Sequence, residues 1–156
     1  MAEPPSLRRA GAADAAAVRD LTRAAYATWV PLIGREPKPM TADYDRAVAE
    51  HRIDLWEADG ELLGLVETIP APDHLLIENL AVRPDRQGKG LGDRLLQHAE
   101  VLAASLGVAE VRLYTNAAFA ANLAFYQRRG YEEFRREELA PGRTVVHMRK
   151  RISPGR

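Results

Sequence analysis

A run of three alternating glycines, Gly88, Gly90 and Gly92, stands where a strand pattern changes to a helical one. The preceding residues, His74 to Val82, are rich in Leu, Ile and Val, which predicts a buried strand. After the glycines, apolar residues recur along one helical face, namely Leu91, Leu95, Ala99, Leu102, Ala103 and Leu106. A strand, a glycine turn and an amphipathic helix in direct succession constrain the fold more than any other segment.

Such a turn has the chemistry of an anion site. Glycines let the backbone adopt left-handed dihedrals and approach a ligand closely. The first N–H groups of a helix lack partners within the helix and lie at the positive end of its dipole. The turn is therefore suited to a phosphate or pyrophosphate, and Arg83, Arg86 and Lys89 add positive charge. The alternative of a turn that only connects a strand to a helix stays open here.

Two common phosphate-binding patterns do not fit this turn. A Walker loop requires Ser or Thr directly after Gly-Lys, whereas another glycine follows Gly88-Lys89. A dinucleotide fingerprint would need its third glycine where Asp93 or Leu95 stands, and it belongs to a βαβ unit. The pattern that does fit is Gln-x-x-Gly-x-Gly, which begins at Gln87.

The remaining pattern predicts a mixed sheet with helices packed on it, in the order β-α-α-β-β-β-α-β-α-β-β. This order describes an α/β or α+β domain rather than a doubly wound one. The predicted strands are residues 7–10, 53–56, 62–69, 74–82, 108–114, 131–139 and 144–149, and the predicted helices are residues 14–29, 42–50, 91–106 and 119–129.

Local signals predict the turns and caps. Asp14 and Thr41 are predicted to cap the first two helices, because their side chains can accept hydrogen bonds from a helix N-terminus. Asp59-Gly60 predicts a two-residue hairpin. The prolines and the glycine between residues 30 and 40 predict a loop.

The length of 156 residues predicts one domain, with residues 1–5 and 153–156 as flexible tails. The 22 basic and 22 acidic side chains cancel, which argues against a general nucleic-acid-binding protein. The sequence contains no cysteine, which excludes disulfides, thiolate metal ligands and a cysteine nucleophile. No apolar run approaches a membrane span, and residues 1–7 do not resemble a signal peptide, so we expect a cytoplasmic protein that does not bind a membrane.

Two separated motifs, in the right order, resemble the GCN5-related N-acetyltransferases (the GNAT superfamily). Val82 to Gly92 is similar to the acetyl-CoA-binding motif of that family, and the segments around Tyr126 are similar to its second cofactor segment. The resemblance implies a GNAT-like domain over residues 1–156, with a mixed, mostly antiparallel central sheet flanked by helices. The matching segments are Leu7–Ala10 with Asp14, Ile77–Val82, Val82–Gly92, Leu113–Asn116, Asn122–Tyr126 and Gly130-Tyr131.

The resemblance also implies how acetyl-CoA would be bound. Asn122 would face the pantetheine arm, although many relatives place an asparagine seven residues before the tyrosine, where this chain has Phe119. Main-chain groups would make the other contacts. Those of Leu80, Ala81 and Val82 would pair with the pantetheine arm, and those of Gln87, Gly88, Lys89, Gly90, Leu91 and Gly92 would hold the pyrophosphate.

Acetyl transfer to an amine needs a base for the amine, a donor for the oxyanion and an acid for the thiolate. No serine has a nucleophile-elbow context, so we expect direct attack in a ternary complex. By the resemblance, Tyr126 would lie near the thioester sulfur as the acid, although its spacing with Phe119 and Leu123 also fits a core position. Glu78 is the candidate base and Glu67 the reserve, and a solvent-facing position explains Glu78 equally well.

The sequence defines the acceptor site less closely. In family relatives the region between the first two helices lines the acceptor pocket, and here Tyr26 and Trp29 precede the 30–40 loop. These two residues, with Glu67 and Asn116, are the candidate acceptor contacts. An aromatic cluster that pins the loop onto the core explains the two aromatic residues as well.

The histidines at positions 51, 74, 98 and 147 lack metal-ligand spacing, and only His74 is kept as an active-site candidate. We expect no metal, a small-molecule or peptide amine as the acceptor, and a monomer or homodimer. Two alternatives stay open. One is a non-catalytic acyl-CoA-binding sensor or scaffold of the same fold, and the other is an anion-binding domain unrelated to coenzyme A.

Overall fold

The structure, a computed structural model, describes residues 6–153. Of the tails predicted to be flexible, only Ser153 belongs to these residues, and the others lie outside them. The strands are β1 (Ser6–Arg9), β2 (Arg52–Ala58), β3 (Glu61–Pro70), β4 (Leu75–Val82), β5 (Glu110–Asn116), β6 (Glu132–Ala140) and β7 (Arg143–Arg151). The α-helices are α1 (Ala15–Tyr26), α2 (Val30–Ile33), α3 (Lys38–Thr41), α4 (Tyr44–Glu50), α5 (Leu91–Ser105) and α6 (Ala120–Gln127), with 3₁₀ turns at Ala12–Asp14, Ala27–Trp29 and Pro84–Arg86.

The described strands form a seven-stranded sheet in the order β1-β2-β3-β4-β5-β7-β6. β4 and β5 run parallel, whereas β1–β2, β2–β3, β5–β7 and β6–β7 are antiparallel pairs. Parallel neighbours need a crossover connection, and α5 lies in the connection between β4 and β5. The predicted fold class, a mixed and mostly antiparallel sheet with helices, is therefore confirmed.

The chain divides into two compact units. The described part of the first unit runs to Ile69 and resumes over Asn79–His98. The second unit holds Pro70–Glu78 and the described residues from Ala99 onward. Strand β4 and helix α5 therefore contribute residues to both units, and the single domain expected from the length stays a prediction.

The first unit has its own hydrophobic cluster. Helix α1 contributes Val18, Leu21 and Ala25, as the helical spacing predicts. Trp29, predicted on the same face, is only half-buried, because it lies in a 3₁₀ turn whose tighter winding shifts the face. The remaining buried members are Tyr44, Ala47, Ile53, Leu55, Leu65 and Ala81.

The loop predicted over residues 30–40 is wrong in part, because α2 and α3 lie in it. Each helix has a proline, Pro31 or Pro39, in its first turn, where a backbone N–H has no helical partner to lose. Gly34 ends α2 with a left-handed φ of 72°. Prolines that would break a helix in its middle therefore start two short ones here.

The predicted cap of the next helix is also wrong. Thr41 is the last residue of α3, and its hydroxyl donates back to the carbonyl oxygen of Lys38 at 3.2 Å. Asp43 caps α4 instead, because its side chain accepts a hydrogen bond from the backbone N–H of Arg46 at 3.1 Å. Both residue types are good helix caps. Because α3 extends to Thr41, this residue is not free to cap α4, and Asp43 takes that position.

The hairpin predicted at Asp59-Gly60 is confirmed. Both residues have left-handed φ values, 54° and 76°, and Ala58 pairs with Glu61 across the turn. Further along the same hairpin Gly64 lies opposite Trp56. A side chain at position 64 has no room, since a Cβ atom there would lie 2.9 Å from Leu95 Cδ1 and 3.1 Å from the Ala81 carbonyl oxygen.

We expect Gly64→Ala to destabilise the protein by about 1–3 kcal/mol, because the added methyl overpacks a site closed by backbone and by fully buried Leu95. Urea denaturation measures this change. Gly11→Ala is the matched control, since a Cβ there meets only Asp14 Oδ2 at 3.9 Å. Equal stability of the two variants would contradict the close approach of α5 to the sheet.

Helix α5 is also tied to β2 by a cluster of polar side chains around the buried carboxylate of Asp54. Asp54 is 3% exposed, and its Oδ2 accepts hydrogen bonds from His98 Nε2 at 2.9 Å and from Arg52 Nε at 3.0 Å. Burial alone would raise the pKa of Asp54, but the hydrogen bonds from His98 and Arg52 outweigh it and hold the pKa below its usual range. The cluster therefore depends on an ionised carboxylate.

A carboxyl whose folded-state pKa is lowered stabilises the fold above its unfolded pKa of about 3.9, and this contribution is lost as the pH falls through the folded-state value. We expect the melting temperature to fall between about pH 5 and 2, and to fall less in Asp54→Asn. Circular dichroism melts at constant ionic strength measure this. Asp20→Asn, at an exposed position, should follow the wild type. If the melting temperature of Asp54→Asn fell with pH as steeply as that of the wild type, the stabilising role of ionised Asp54 would be contradicted.

The second unit buries one face of β5 and β7. Val111 and Leu113 of β5 and Val146 and Met148 of β7 are each 2% exposed or less. Strand β5 begins two residues later than predicted, because the N–H of Val108 still donates to the carbonyl of Ala103 in the last turn of α5. The opposite face of these strands carries polar and aromatic residues that belong to the candidate site.

Candidate functional site

The glycine turn leads from β4 through the 3₁₀ turn Pro84–Arg86 into α5. Gly88 and Gly90 have left-handed φ values of 78° and 84°. A Cβ at either position would meet no atom within 4 Å, so the backbone conformation and not lack of space requires glycine. Residues 87–90 are exposed, and the N-terminus of α5 begins directly after them. The predicted anion turn thus has both the backbone shape and the access that an anion needs.

The side chain of Gln87 fastens the turn to the end of β4. Its Nε2 donates to the carbonyl oxygen of Val82, five positions earlier in the chain, at 3.2 Å. The backbone N–H of Arg83 donates to the carbonyl of Leu63 at 2.8 Å, which holds the start of the turn against β3. The glutamine of the pattern therefore has a structural role in the turn, in addition to its expected backbone contact.

The positive charge around the turn is smaller than the sequence predicts. Arg83 pairs with Asp85 at 2.7 Å and with Glu61 at 3.1 Å, so its charge is offset. The Arg83 guanidinium also holds the pKa of Asp85 below its usual range. Lys89 is exposed and makes no ion pair with any described residue. Within the turn, the lysine is the side chain best suited to approach an anion.

The last residues of β4 hold the predicted main-chain contacts. Ala81 is 2% exposed and packs in the core, whereas Leu80 and Val82 on either side are half-buried. The hydroxyl of Tyr26 donates to the carbonyl of Leu80 at 3.4 Å. Tyr26, predicted as an acceptor contact, thus lies beside a strand that is predicted to pair with the pantetheine arm.

The segment before α4 is held to the rest of the first unit by side chains. Arg23 donates to the carbonyl of Met40 at 2.7 Å, and Tyr44 donates to the carbonyl of Pro39 at 2.6 Å. Buried Asn79 donates to Tyr44 at 3.3 Å, which connects this segment to β4. The segment is therefore held by Arg23, Tyr44 and Asn79, while Trp29 is half-buried and its role as an acceptor contact stays a prediction.

Glu67, the reserve base, has an imidazole as a partner. It is 3% exposed, and its Oε2 lies 2.6 Å from Nδ1 of His51. The sequence interpretation missed this pair. The register of the Asp59-Gly60 hairpin was the signal, because it places Glu67 opposite Ile53, two residues after the histidine.

In the second unit, Tyr126 lies on α6 and is 8% exposed. Its ring packs edge-on against Phe125 and Tyr131, with centroids 5.2 Å and 5.8 Å away. Burial raises the pKa of its phenol well above the usual range. The hydroxyl makes no hydrogen bond with any described residue. A buried, protonated phenol of this kind can act only as a proton donor at ordinary pH.

Glu78 lies on the polar face of the second unit. Tyr114 donates a hydrogen bond to its Oε1 at 2.6 Å. The ring of Tyr114 has the ring of His147 on β7 as a neighbour, with centroids 6.0 Å apart. The sequence interpretation missed Tyr114 as the neighbour of Glu78, although the parallel pairing of β4 and β5 implies such cross-strand contacts.

The remaining predicted residues have local roles. Asn116 accepts a hydrogen bond from the N–H of Ala118 at 2.9 Å, which shapes the turn before α6. Asn122 is half-buried in the first turn of α6, and its side chain makes no hydrogen bond with the described residues. Phe119 is 3% exposed. His74 bonds to its neighbour Asp73 through Nδ1 at 2.7 Å.

Within the range 6–153, no group of three or more histidine, aspartate or glutamate side chains is arranged to hold a metal ion. None of the helices in that range is long and apolar enough to cross a membrane. The predicted site residues divide between the two units. The first holds Leu80, Ala81, Val82, residues 87–92, Glu67, Tyr26 and Trp29, and the second holds Glu78, Asn116, Asn122 and Tyr126.

A mixed sheet whose central strand leads through an exposed glycine turn into a helix defines an α/β protein with a candidate anion site. The family model described as Acetyltransferase (GNAT) family matches residues 16–131. This range covers most of the chain, which therefore belongs to that family, and the resemblance seen in the sequence is confirmed.

Two curated relatives show the extent of the similarity. The chain is 35% identical over 118 residues to the mycothiol acetyltransferase of Clavibacter michiganensis subsp. michiganensis. The aligned region covers 67% of this chain and 39% of that protein. It is 35% identical over 75 residues to the [ribosomal protein bS18]-alanine N-acetyltransferase of Escherichia coli K12. This aligned region covers 48% of this chain and 51% of that protein. The chain thus spans about two fifths to one half of these relatives' lengths.

Solved structures share the fold. The ribosomal-protein-S18-alanine N-acetyltransferase from Escherichia coli has a TM-score of 0.75 at 21% identity, over 98% of this chain and 97% of that one. The PaiA N-acetyltransferase from Thermoplasma acidophilum, in complex with coenzyme A, has a TM-score of 0.78 at 17% identity, over 96% and 100%. A GNAT acetyltransferase from Elizabethkingia anophelis with acetyl-CoA bound has a TM-score of 0.73 at 16% identity, over 95% and 98%.

Proposed function

We propose that this protein is an N-acetyltransferase that moves the acetyl group of acetyl-CoA to a primary amine by direct attack in a ternary complex. The observation that carries the proposal is the exposed turn before α5, with Gly88 and Gly90 in left-handed conformations. Family membership supports acetyl-CoA as the donor, because related structures were solved with coenzyme A or acetyl-CoA bound.

The turn would bind the donor through its backbone. The N–H groups of Gln87, Gly88, Lys89, Gly90, Leu91 and Gly92 would hold the pyrophosphate at the positive end of the α5 dipole. Main-chain groups of Leu80, Ala81 and Val82 would pair with the pantetheine arm, and Asn122 would face it. Coenzyme A would therefore bind mostly to the backbone, which explains why glycines, and not many cations, mark the site.

Two side chains would move the protons. Glu78 would accept the proton of the amine, directly or through water, as its nitrogen attacks the thioester carbonyl. The carbon–sulfur bond then breaks, and Tyr126 would protonate the leaving thiolate. The products are the acetylated amine and free coenzyme A. Glu67 stays the reserve base, and its carboxylate lies 2.6 Å from the imidazole Nδ1 of His51.

The acceptor is proposed as a class only, a small-molecule or peptide amine, with Tyr26, Trp29, Glu67 and Asn116 as candidate contacts. Of these, Asn116 is the least suitable, since its amide oxygen already accepts the N–H of Ala118. A cytoplasmic location and a monomer or homodimer stay expectations from the sequence.

Isothermal titration with coenzyme A and thiol release from acetyl-CoA test the proposal together. The amine panel includes a peptide beginning with alanine, a lysine peptide, polyamines, free amino acids and an aminoglycoside. Binding and thiol release support the enzyme. If coenzyme A binds but no amine of the panel causes thiol release, the sensor or scaffold alternative is supported. Binding of ADP with no preference for coenzyme A supports an unrelated anion-binding domain and contradicts the proposal.

A further inference from the structure

The side chains of Glu78 and Tyr114 meet where the parallel pairing of β4 and β5 ends. That pairing covers Leu75–Ile77 and Val111–Leu113, and the two residues follow next on their strands. The Tyr114 hydroxyl donates to Glu78 Oε1 at 2.6 Å, which is a usual length for a hydrogen bond from a hydroxyl to a carboxylate. A hydrogen bond of this kind fixes the orientation of the carboxylate.

We propose that Tyr114 is the positioning residue for Glu78 in acetyl transfer, and this inference rests on the function proposed above. The phenol holds the carboxylate in one rotamer, so that the base is in place when an amine arrives. A glutamate side chain loses considerable rotamer freedom when it is held in this way, and a strong hydrogen bond offsets that loss. Tyr114 itself takes no proton from the substrate.

The position of Tyr114 is in turn set by the neighbouring strands. Tyr114 pairs with His147 in the antiparallel register of β5 and β7, and the two rings are tilted by 42° with centroids 6.0 Å apart. Phe134 of β6 lies on the far side of the histidine, with ring centroids 6.2 Å apart. A row of rings across three strands thus supports the hydroxyl that reaches Glu78 on the fourth.

A purely structural role for the same bond predicts a different result. If Tyr114 only fastens β5 to β4, removing its hydroxyl lowers the melting temperature and leaves the rate of the chemical step unchanged. If it acts through Glu78, the rate falls, and the fall disappears once Glu78 can no longer act as a base. The two roles therefore separate in a double-mutant cycle.

The cycle compares the wild type, Tyr114→Phe, Glu78→Gln and the double variant, with the best amine of the panel. We expect Tyr114→Phe to lower kcat by about tenfold in the wild-type background, as for loss of one charge-assisted hydrogen bond. In the Glu78→Gln background, the same change should alter kcat by less than about twofold. The KM for acetyl-CoA should stay the same in all four proteins, since neither side chain is assigned to the cofactor.

Tyr131→Phe is the matched control. It also removes a phenol that donates to a carboxylate, Glu100 Oε2 at 3.0 Å, in the same unit. Its effect on kcat should be equal in the wild-type and Glu78→Gln backgrounds. Unequal effects would show that the cycle responds to any lost hydroxyl, and would overturn the inference.

Three results decide the matter for Tyr114. An unchanged kcat with a lowered melting temperature overturns the positioning role and supports the structural one. An equal loss of kcat in both backgrounds overturns the action through Glu78. If the wild type releases no thiol with any amine of the panel, the proposed function and this inference are both overturned. If the wild type is active and either of the first two results is found, the inference alone is overturned.

Discussion

Tyr126→Phe is expected to lower kcat for acetyl transfer by about a hundredfold or more, because a general acid contributes about 10²–10⁴-fold to a rate. The phenylalanine ring keeps the packing against Phe125 and Tyr131, so the fold and the coenzyme A dissociation constant should change little. Steady-state thiol release and titration calorimetry measure the two quantities. An unchanged kcat would remove Tyr126 from the mechanism.

The pH dependence gives an independent check on the same residue. Its acid form is the neutral phenol, and burial raises its pKa above the ordinary value of about 10. The active form therefore persists to higher pH, and ionisation of Tyr126 should cause no loss of kcat below about pH 10. An alkaline loss centred near pH 8 that vanishes in Tyr126→Phe would contradict this assignment.

The double variant Gly88→Ala with Gly90→Ala is expected to weaken coenzyme A binding by about a hundredfold. A left-handed conformation costs a residue with a Cβ about 1–2 kcal/mol, so the free turn relaxes to another shape. Binding must then restore both strained conformations, and each 1.4 kcal/mol of strain weakens binding about tenfold. Titration calorimetry with coenzyme A measures the change.

The chain contains a matched control for backbone strain. Gly107 and Gly142 have left-handed φ values of 78° and 77°, and a Cβ at either would meet no atom within 4 Å. Alanine at both positions introduces the same strain outside the turn, so it should lower stability while leaving coenzyme A affinity unchanged. Equal loss of affinity in the two double variants would mean that the turn before α5 has no special role in binding.

Predictions based on periodicity and on turn residues succeeded where the structure is local. The spacing along α1, the Asp59-Gly60 hairpin and the strand–glycine–helix order around Gly90 each depend on neighbours in sequence. Helix ends failed where two local signals competed. Pro31 and Pro39 are compatible with both a loop and the first turn of a helix, and only the surrounding contacts select one.

For the candidate site as well, individual residues were predictable from the sequence, whereas their distant partners were not. The sequence singled out Glu78 as a carboxylate within an apolar strand and Tyr126 by resemblance, but it could not name the phenol that bonds to Glu78. Tyr114 is 36 residues from Glu78, and Tyr131 is 31 residues from Glu100. Contacts across such separations depend on strand order and register, which no short pattern encodes.

By itself, the sequence determined the family, the sheet class and the glycine turn, because these depend on residue type and spacing over a few positions. Only the tertiary structure decided which charged side chains already have partners within the protein. Arg83 is offset by Asp85 and Glu61, and Glu67 is held by His51. The physical reason is that ionisable groups act through neighbours within a few ångströms, and folding chooses those neighbours from distant parts of the chain.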